Sequence, residues 1–534
     1  MVRYLFLLIL IPFLSRAHVG SSGVVYEGKA GNYPIQVYVQ PPDVIPGTAK
    51  VTVLAGMGSI QEIGLKPIYF YGGDEGSPRA DLALPSKEEP GRYEGTVWFM
   101  DAGSASVEVT IKGNQGTGTA VIPILAVSTA TQTMPKGTGW VLAGLGLLLL
   151  GLLTTLLGAS MSDGLMQPGQ EDTSKTRRKH FTGSVIGATF CIGLVFVGHN
   201  WWKARADEYK QFMFKPYQAT SSIAVEDGQP VLNLQIDSLS EKNRSLSYLI
   251  PDHGKLMHLF LIRQGSMEAF AHLHPYRVDS LHFQARLPPL PAGTYLLYAD
   301  MVRYQGFAYT ITDTLVIPAL PESLPGSTKA DPEDTYAITT PVSNTKPLLA
   351  DAAITMCGKP GVSTKLQDGS SMVWEAQVNE DLRAGKVYDL NFSVFDPDGK
   401  AAELQPYLGM MGHAAVFKND GQVYIHLHPT GTFSSASQQV LKNRIAETNR
   451  IPAKPSAPKV FRDSIDQVLV MLNSIPEMAR NHIIMPDIPM SEHLEHTNHL
   501  TIPYAFPKAG KYRLWLQVKR DGKVLTGVFD ANVQ

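Results

Sequence analysis

Paired histidines are the residues of this sequence whose type and spacing could do chemistry. Residues 270–275 read FAHLHP and residues 425–429 read IHLHP, in a chain with only 15 histidines. In a β-strand, residues i and i+2 face the same side, so His272 and His274 point together, as do His426 and His428. Each copy of the motif therefore presents two imidazoles to one place.

A hairpin before each motif brings in a third histidine. The turn 418–421 reads KNDG, a strong hairpin signal, and folding the chain there lays His413 opposite 426–428. The turn 264–267 reads QGSM and lays His258 opposite 272–274. Cross-strand neighbours lie about 4.5–5.5 Å apart at Cβ, close enough for three imidazoles to share one ion. The predicted metal ligands are His258, His272 and His274 in the first copy, and His413, His426 and His428 in the second.

Methionines beside these histidines favour copper over zinc, although three imidazoles suit either ion and leave an open coordination position. Met257 precedes His258, and Met410 and Met411 precede His413. A regular strand would turn Met257 away from the face of His258 unless a bulge intervenes. The alternative is that the histidines fill a core and bind no metal.

Three further sets of residues could add ligands. His18 follows a predicted cleavage site, where its amine and imidazole would chelate Cu(II). His253 and His282 lie close to the first motif in the sequence. The third set is a tract that either captures copper or is a polar loop; it contains Met478, His482, Met485, Met490, His493, His496 and His499.

Composition excludes several function classes. Lys and Arg number 46 against 48 Asp and Glu, so the chain has no basic field for nucleic acid. With two cysteines, Cys191 and Cys357, a cysteine-based zinc site is excluded. The sequence lacks a nucleophile elbow, a phosphate loop and a paired-carboxylate motif, so we expect a binding protein rather than an enzyme.

Apolar segments predict a membrane-anchored, exported protein. Residues 1–17 have the pattern of a signal peptide, with an uncleaved anchor as the alternative. Transmembrane helices are predicted at 139–158 and 181–202, since each is near the ~20 residues that cross a bilayer. The loop 159–180 is rich in Lys and Arg, which places it in the cytoplasm and both flanks outside. Two buried helices of a soluble domain are the alternative.

The rest of the chain predicts a mainly β fold of three immunoglobulin-like β-sandwiches, because strand patterns recur every 8–12 residues. The first spans 18–128, the second 215–320, and the third 351–534 after a linker at 321–350. The third repeats the second: 292–295 (AGTY) aligns with 509–512 (AGKY). The main difference is an insertion at 435–500.

The motifs AHVGSSGVVYEGKAGNYP, PDHGKLMHLFLIR, HLHP and QPYLGMMGHAAVF resemble those of a family of bacterial membrane-anchored proteins. The exported sandwiches also resemble YtkA-like and CopC-like periplasmic copper-handling domains. These resemblances imply a place in the bacterial inner (cytoplasmic) membrane with both large regions in the periplasm. They imply copper binding in homeostasis, resistance or delivery to a partner such as a cuproenzyme. The competing hypothesis is a structural or assembly module whose sandwiches bind a partner protein without metal.

Overall fold

The fold is mainly β, with two long apolar helices, in a computed structural model of the chain. It describes residues 18–19, 23–56, 59–131, 134–162, 169, 171–226, 228–238, 246–319, 330–342, 354–355, 363–375, 381–449, 451–486 and 497–534. The predicted signal peptide, 1–17, lies outside these residues. The sandwiches form one compact unit, drawn from the chain on both sides of the helices, and residues 127–215 form a second unit.

The N-terminal sandwich packs two sheets around an apolar core that includes Val37, Val97 and Val107. One sheet has the order β2-β3-β4-β8-β7 and the other β10-β9-β5-β6. The strands from the first described residue onward are β1 (His18–Val19), β2 (Val24–Ala30), β3 (Tyr33–Gln40), β4 (Gly47–Ala55), β5 (Ile60–Tyr69), β6 (Asp81–Leu82), β7 (Leu84–Pro85), β8 (Arg92–Phe99), β9 (Gly103–Gly113) and β10 (Gly116–Ala126).

Two helices, α1 (Lys136–Ser162) and α2 (Ser174–Phe212), follow. Both are long and apolar enough to cross a membrane, and only 6% and 11% of their most apolar windows are buried. A core helix of a soluble domain would be mostly buried. The helices pack through small residues, since a Cβ on Gly183 would meet the Leu157 carbonyl and one on Gly158 would meet Ser184.

The second sandwich contains the first histidine motif. Its sheets have the orders β11-β12-β17-β16 and β13-β18-β14-β15-β20-β21, and β19 also pairs with β18. Its strands are β11 (Ala219–Glu226), β12 (Gln229–Ile236), β13 (Leu249–Ile250), β14 (His258–Arg263), β15 (Ala269–Leu273), β16 (Tyr276–Arg277), β17 (His282–Arg286), β18 (Gly293–Arg303), β19 (Ala308–Ile317), β20 (Thr335–Thr339) and β21 (Ile354–Thr355).

The third sandwich contains the second motif and the insertion. Its sheets have the orders β22-β23-β24-β27 and β1-β26-β25-β28-β29. Its strands, apart from β1, are β22 (Ser363–Lys365), β23 (Ser371–Trp374), β24 (Val387–Phe395), β25 (His413–Lys418), β26 (Val423–Leu427), β27 (His499–Ala505), β28 (Gly510–Arg520) and β29 (Lys523–Val533). The insertion forms α3 (Ser435–Ala446), α4 (Pro458–Ser474) and α5 (Glu477–Ile484).

Three domain boundaries differ from the prediction. The predicted linker contains β20, which pairs with β15 and so belongs to the second sandwich. β21, predicted within the third sandwich, pairs in parallel with β20. β1, predicted in the N-terminal sandwich, pairs in parallel with β26 of the third. Pairing between strands that are distant in sequence leaves no local signal in the sequence. The local sequence pattern therefore could not locate these three domain boundaries.

The second and third sandwiches pack against each other, one sheet face to one sheet face. Phe270 stacks on Trp515 with ring centroids 4.7 Å apart, and Tyr298 stacks on Tyr424 at 4.3 Å. Arg513 donates to the carbonyl of Met267 across the same boundary. The four aromatic residues and Met267 belong to a shared apolar cluster, distinct from the third sandwich's own core. The boundary between the repeats is therefore a closely packed and largely apolar interface.

Candidate metal centre

The six predicted histidines lie at one end of this interface. The register Leu259↔Leu273, continued by one residue, puts His258 opposite His274, and Ala414↔Leu427 likewise puts His413 opposite His428. Strand alternation places these side chains on the face of Phe260 and Phe417, both members of the shared cluster. The histidines therefore face the other repeat and not the interior of their own sandwich.

Each repeat gathers its three imidazoles. Candidate ligand atoms of His258, His272 and His274, the first histidine set, lie within 4.8 Å of one another. The same limit holds for His413, His426 and His428, the second histidine set. The three-histidine convergence predicted from the hairpins is thus present in both copies.

The first set has two ring nitrogens whose lone pairs face each other. Nε2 of His258 donates to the carbonyl of Asp252 at 3.1 Å, because a carbonyl only accepts. This leaves the Nδ1 of His258 as an acceptor, 3.1 Å from the Nε2 of His272.

The outer nitrogen of His272 is also a donor. Its Nδ1 lies 2.9 Å from Oε1 of Gln517 and 3.3 Å from the hydroxyl of Tyr407, whose own proton goes to the carbonyl of Glu333. With Oε1 of Gln517 facing Nδ1, the Nε2 of His272 carries a lone pair as well. Two acceptors at 3.1 Å repel each other, and a cation bound by both nitrogens removes that repulsion.

The second set repeats this geometry. Nε2 of His413 donates to the carbonyl of Tyr407 at 3.0 Å, and its Nδ1 lies 3.2 Å from Nε2 of His426. The third imidazole of each set has one oriented nitrogen: Nδ1 of His274 bonds Asp334 at 3.0 Å, and Nδ1 of His428 bonds the carbonyl of Phe433 at 3.2 Å. Among the described residues, the Nε2 atoms of His274 and His428 are buried without a hydrogen-bond partner. Each set thus offers one Nδ1 and two Nε2 atoms to a metal. Five of the six outer nitrogens are hydrogen-bonded as in known metal sites, and the sixth, Nδ1 of His426, lies 3.9 Å from Asp300.

Burial keeps these imidazoles neutral, the form that binds metal. It lowers the pKa of His258 to about 4 and that of His428 to about 3. It also lowers the pKa values of His272, His274, His413 and His426 well below the usual range.

Among the described residues, three carboxylates beside the neutral rings form no ion pair with a lysine or an arginine. Lys255 pairs with Asp331 and Glu333. Within the described part of the chain, the ion pairs of Asp252, Asp300 and Asp334 are to histidines alone. Burial raises the pKa of Asp300 to about 6 and that of Asp334 to about 8, and a bound cation would favour their ionised forms. Asp331 and Asp334 also form a third possible ligand group with His274, although Lys255 already occupies Asp331.

Equivalent turns lead into β14 and β25. Segments 251–258 and 406–413 each contain a bridge, Asp252↔Lys255 and Tyr407↔Met410. His253 and Leu408 have φ of 50° and 52°, and a glycine with positive φ follows each. His253 thus occupies the position of Leu408, and its Nδ1 bonds the Leu408 carbonyl at 3.1 Å.

This alignment corrects the argument from methionines. Met410 and Met411 are equivalent to Lys255 and Leu256, and Met257 is equivalent to Gly412, so the duplication does not repeat a sulfur ligand. Met257 and Met410 are buried, and Met411 packs against the third sandwich's core. Their role as ligands stays a prediction.

The other candidates are dispersed. The backbone of His18 pairs with Val423 in β1, and its chelating role stays a prediction. His282 begins β17, in the sheet of the second sandwich that does not contain β14 and β15. Its side chain is exposed and hydrogen-bonds Asp279. In the Met/His tract, Met478 and His482 lie exposed on α5, Met485 is buried, and His499 begins β27. Met490, His493 and His496 lie outside the described residues. The helix α5 thus occupies part of this tract.

Sequence reasoning missed the residues that orient the imidazoles. Asp334 lay in the predicted linker, and Tyr407 and Gln517 belong to the opposite repeat from His272, which they contact. The acidic residues within 331–334 were a sequence signal for Asp334. The contacts of Tyr407 and Gln517 with the other repeat left no sequence signal.

Comparison with known proteins adds little. A family model described as a domain of unknown function (DUF8832) matches residues 367–450, which include the second histidine set. No curated protein matches. Among solved structures, a tetra-tandem repeat from the extending region of a large adhesion protein covers 92% of this chain and 96% of its own at 7% identity, with a TM-score of 0.14. The match to latent PorU from Porphyromonas gingivalis covers 96% of this chain and 34% of that chain at 7% identity, with a TM-score of 0.13. The match to a membrane-anchored protein of Corynebacterium diphtheriae covers 96% of this chain and 95% of that chain at 7% identity, with a TM-score of 0.12.

Proposed function

We propose that this protein is a membrane-anchored metal-binding protein that holds copper in its two histidine sets. The observation that carries the proposal is the convergence of ring nitrogens within each set, with His258 Nδ1 3.1 Å from His272 Nε2 and His413 Nδ1 3.2 Å from His426 Nε2. Such nitrogens converge on a cation in metal sites, and the outer nitrogen of each set's first histidine is fixed by a backbone carbonyl.

Copper is the favoured ion because imidazoles bind it strongly and three of them leave a coordination position open. Zinc fits the same ligands. The two apolar helices and the predicted signal peptide support an exported protein of the bacterial inner membrane, with its sandwiches in the periplasm. In that place it would serve copper homeostasis, resistance or delivery to a cuproenzyme.

Metal analysis of the full chain in detergent tests the proposal. The native protein should bind copper or zinc stoichiometrically, and its melting temperature should rise with the metal by mass action. Alanine at His258, His272 and His274 together, or at His413, His426 and His428 together, should remove one site each. The control is His282→Ala, which replaces an exposed histidine outside both sets. If the native chain binds neither ion and its melting temperature does not change, the metal function is wrong and the structural-module hypothesis gains support.

A further inference from the structure

Two equivalent residues connect the histidine sets. The carbonyl of Tyr407 accepts from His413 in the second set, and its hydroxyl accepts from His272 in the first at 3.3 Å. Asp252 has the same position in the other repeat. Its carbonyl accepts from His258, and its carboxylate lies 3.8 Å from Nε2 of His253, beside the second set.

The rings themselves meet across the interface. The ring centroids of His258 and His426 are 5.2 Å apart, and those of His272 and His426 are 5.6 Å apart. His253, from the first repeat, lies 4.7 Å from His428 and 5.1 Å from His413. The wall between the two candidate sites consists of these buried imidazoles and the ring of Phe260, which stacks on His272 and lies 4.9 Å from His426.

His253 makes the sites unequal. It is 3% exposed, and among the described residues its Nε2 has no hydrogen-bond partner. The equivalent residue near the first set is Leu408, an apolar side chain. The second site therefore has a seventh imidazole beside it, contributed by the other repeat.

We infer that the two histidine sets form one paired metal centre, in which two unequal copper ions interact through the shared wall of imidazoles. The inference rests on the proposed function and adds to it that the ions are not independent. Unpaired electrons of two Cu(II) ions held on either side of this wall interact magnetically, and Tyr407 and Asp252 transmit a change at one site to the other. Such coupling is reciprocal.

Electron paramagnetic resonance of the full chain in detergent, loaded with two equivalents of Cu(II), measures the interaction. The native protein should show a half-field transition and lose intensity relative to two isolated ions. The variants H272A/H274A and H426A/H428A, each loaded with one equivalent, should show isolated and mutually different signals. H282A should match the native protein.

Each other outcome overturns the pairing in a distinct way. A native spectrum equal to the sum of the two variant spectra would show two independent sites, with metal binding intact. Binding of a single ion would also refute the pair but not the metal function, whereas absence of bound metal would refute both. If the double variants do not fold, Y407F provides the test, because it keeps the carbonyl for His413 and removes the hydroxyl from His272. It should alter the signal of the first site and weaken the half-field transition; an unchanged spectrum would contradict the inference.

Discussion

At the scale of single residues, the contacts of the outer nitrogens indicate which ring nitrogen carries the proton in both His258 and His413. His258 and His413 donate to backbone carbonyls, so their Nδ1 atoms are free to act as ligands. His274 is the exception, because its outer nitrogen bonds a carboxylate instead of a neutral group. When a bound metal ion favours the ionised form of Asp334, this carboxylate gives the first histidine set an anionic partner, which raises the basicity of the ligand.

Asp334→Asn should weaken metal binding at the first set by about 10–100-fold, the usual effect of losing such a partner. Asparagine keeps the shape and an acceptor oxygen but removes the charge. Competitive titration in the H426A/H428A background, where only the first set remains, measures the affinity. Asp279→Asn is the matched control, since Asp279 bonds the exposed His282. Equal affinities of the two Asn variants would show that Asp334 does not support the site.

The free energy of unfolding of the metal-free protein should be highest near pH 6.5. Buried His258 and His428 have pKa values lowered from 6.5 to about 4 and about 3, so below pH 6.5 the unfolded chain binds protons that the folded chain does not. Stability is then lost as the pH falls, by roughly 3 kcal/mol from His258 alone. Asp334 acts in the opposite sense, because its pKa is raised to about 8 and the folded state binds the extra proton as pH falls from 8.

Urea unfolding of the metal-free chain between pH 8 and pH 4 measures this profile. Six histidines have lowered pKa values, and two acids, Asp300 and Asp334, have raised ones. The histidines are more numerous, so the loss of free energy of unfolding below pH 6.5 dominates. Replacing His258 and His428 by alanine should flatten the decline. A stability that stays constant from pH 6.5 to pH 4 would contradict the neutral state of the rings.

At the scale of elements, the turns before β14 and β25 position the first histidine of each set, and α5 covers them. Ile484 approaches Gly254, and both Ile484 and Met485 approach Gly409. Ion pairs hold α5 there: Arg480 with Glu333 at 2.9 Å and Lys519 with Glu477 at 2.5 Å. The part of the insertion that the structure describes thus closes the end of the interface where the histidines lie.

Gly409→Ala should lower the free energy of unfolding more than Gly399→Ala does. Both glycines have φ near +82°, a conformation that costs alanine about 1–2 kcal/mol. A Cβ at Gly409 would lie 2.8 Å from Cγ of Met485, whereas one at Gly399 meets no described atom within 4 Å. The clash should add about 1–3 kcal/mol. Urea unfolding of both variants measures the difference, and equal losses would mean that α5 does not pack on the turn.

The hairpins could be predicted because their signals are local. The turn at 418–421 fixes the register of β25 and β26, and that register with strand alternation is sufficient to bring His413, His426 and His428 together. The partners of the outer nitrogens could not be predicted in the same way. Tyr407 and Gln517 reach His272 from 135 and 245 residues away, through packing of one repeat on the other.

At the scale of the whole molecule, duplication produced two similar surfaces that cover each other. Strand alternation shows which side chains of β14 and of β25 share a face. Both faces of each strand are apolar, however, and only one of them faces the core of the strand's own sandwich. The sequence therefore left open whether the histidines fill a core. In the folded protein the histidines lie between the repeats, beside the shared cluster of Phe260, Phe417 and Trp515, and not in the third sandwich's own core.

Trp515→Ala should lower the metal affinity of both histidine sets, because Trp515 stacks on Phe270 and holds the repeats together. Trp374→Ala is the matched control: Trp374 lies in the third sandwich's own core and packs on Phe392 and Phe529. Each substitution should reduce the free energy of unfolding by about 3–5 kcal/mol. Only Trp515→Ala removes a contact between the repeats, so it alone should weaken copper binding in titrations at a temperature where both variants are folded. Equal affinities in the two variants would show that each repeat builds its site without the other.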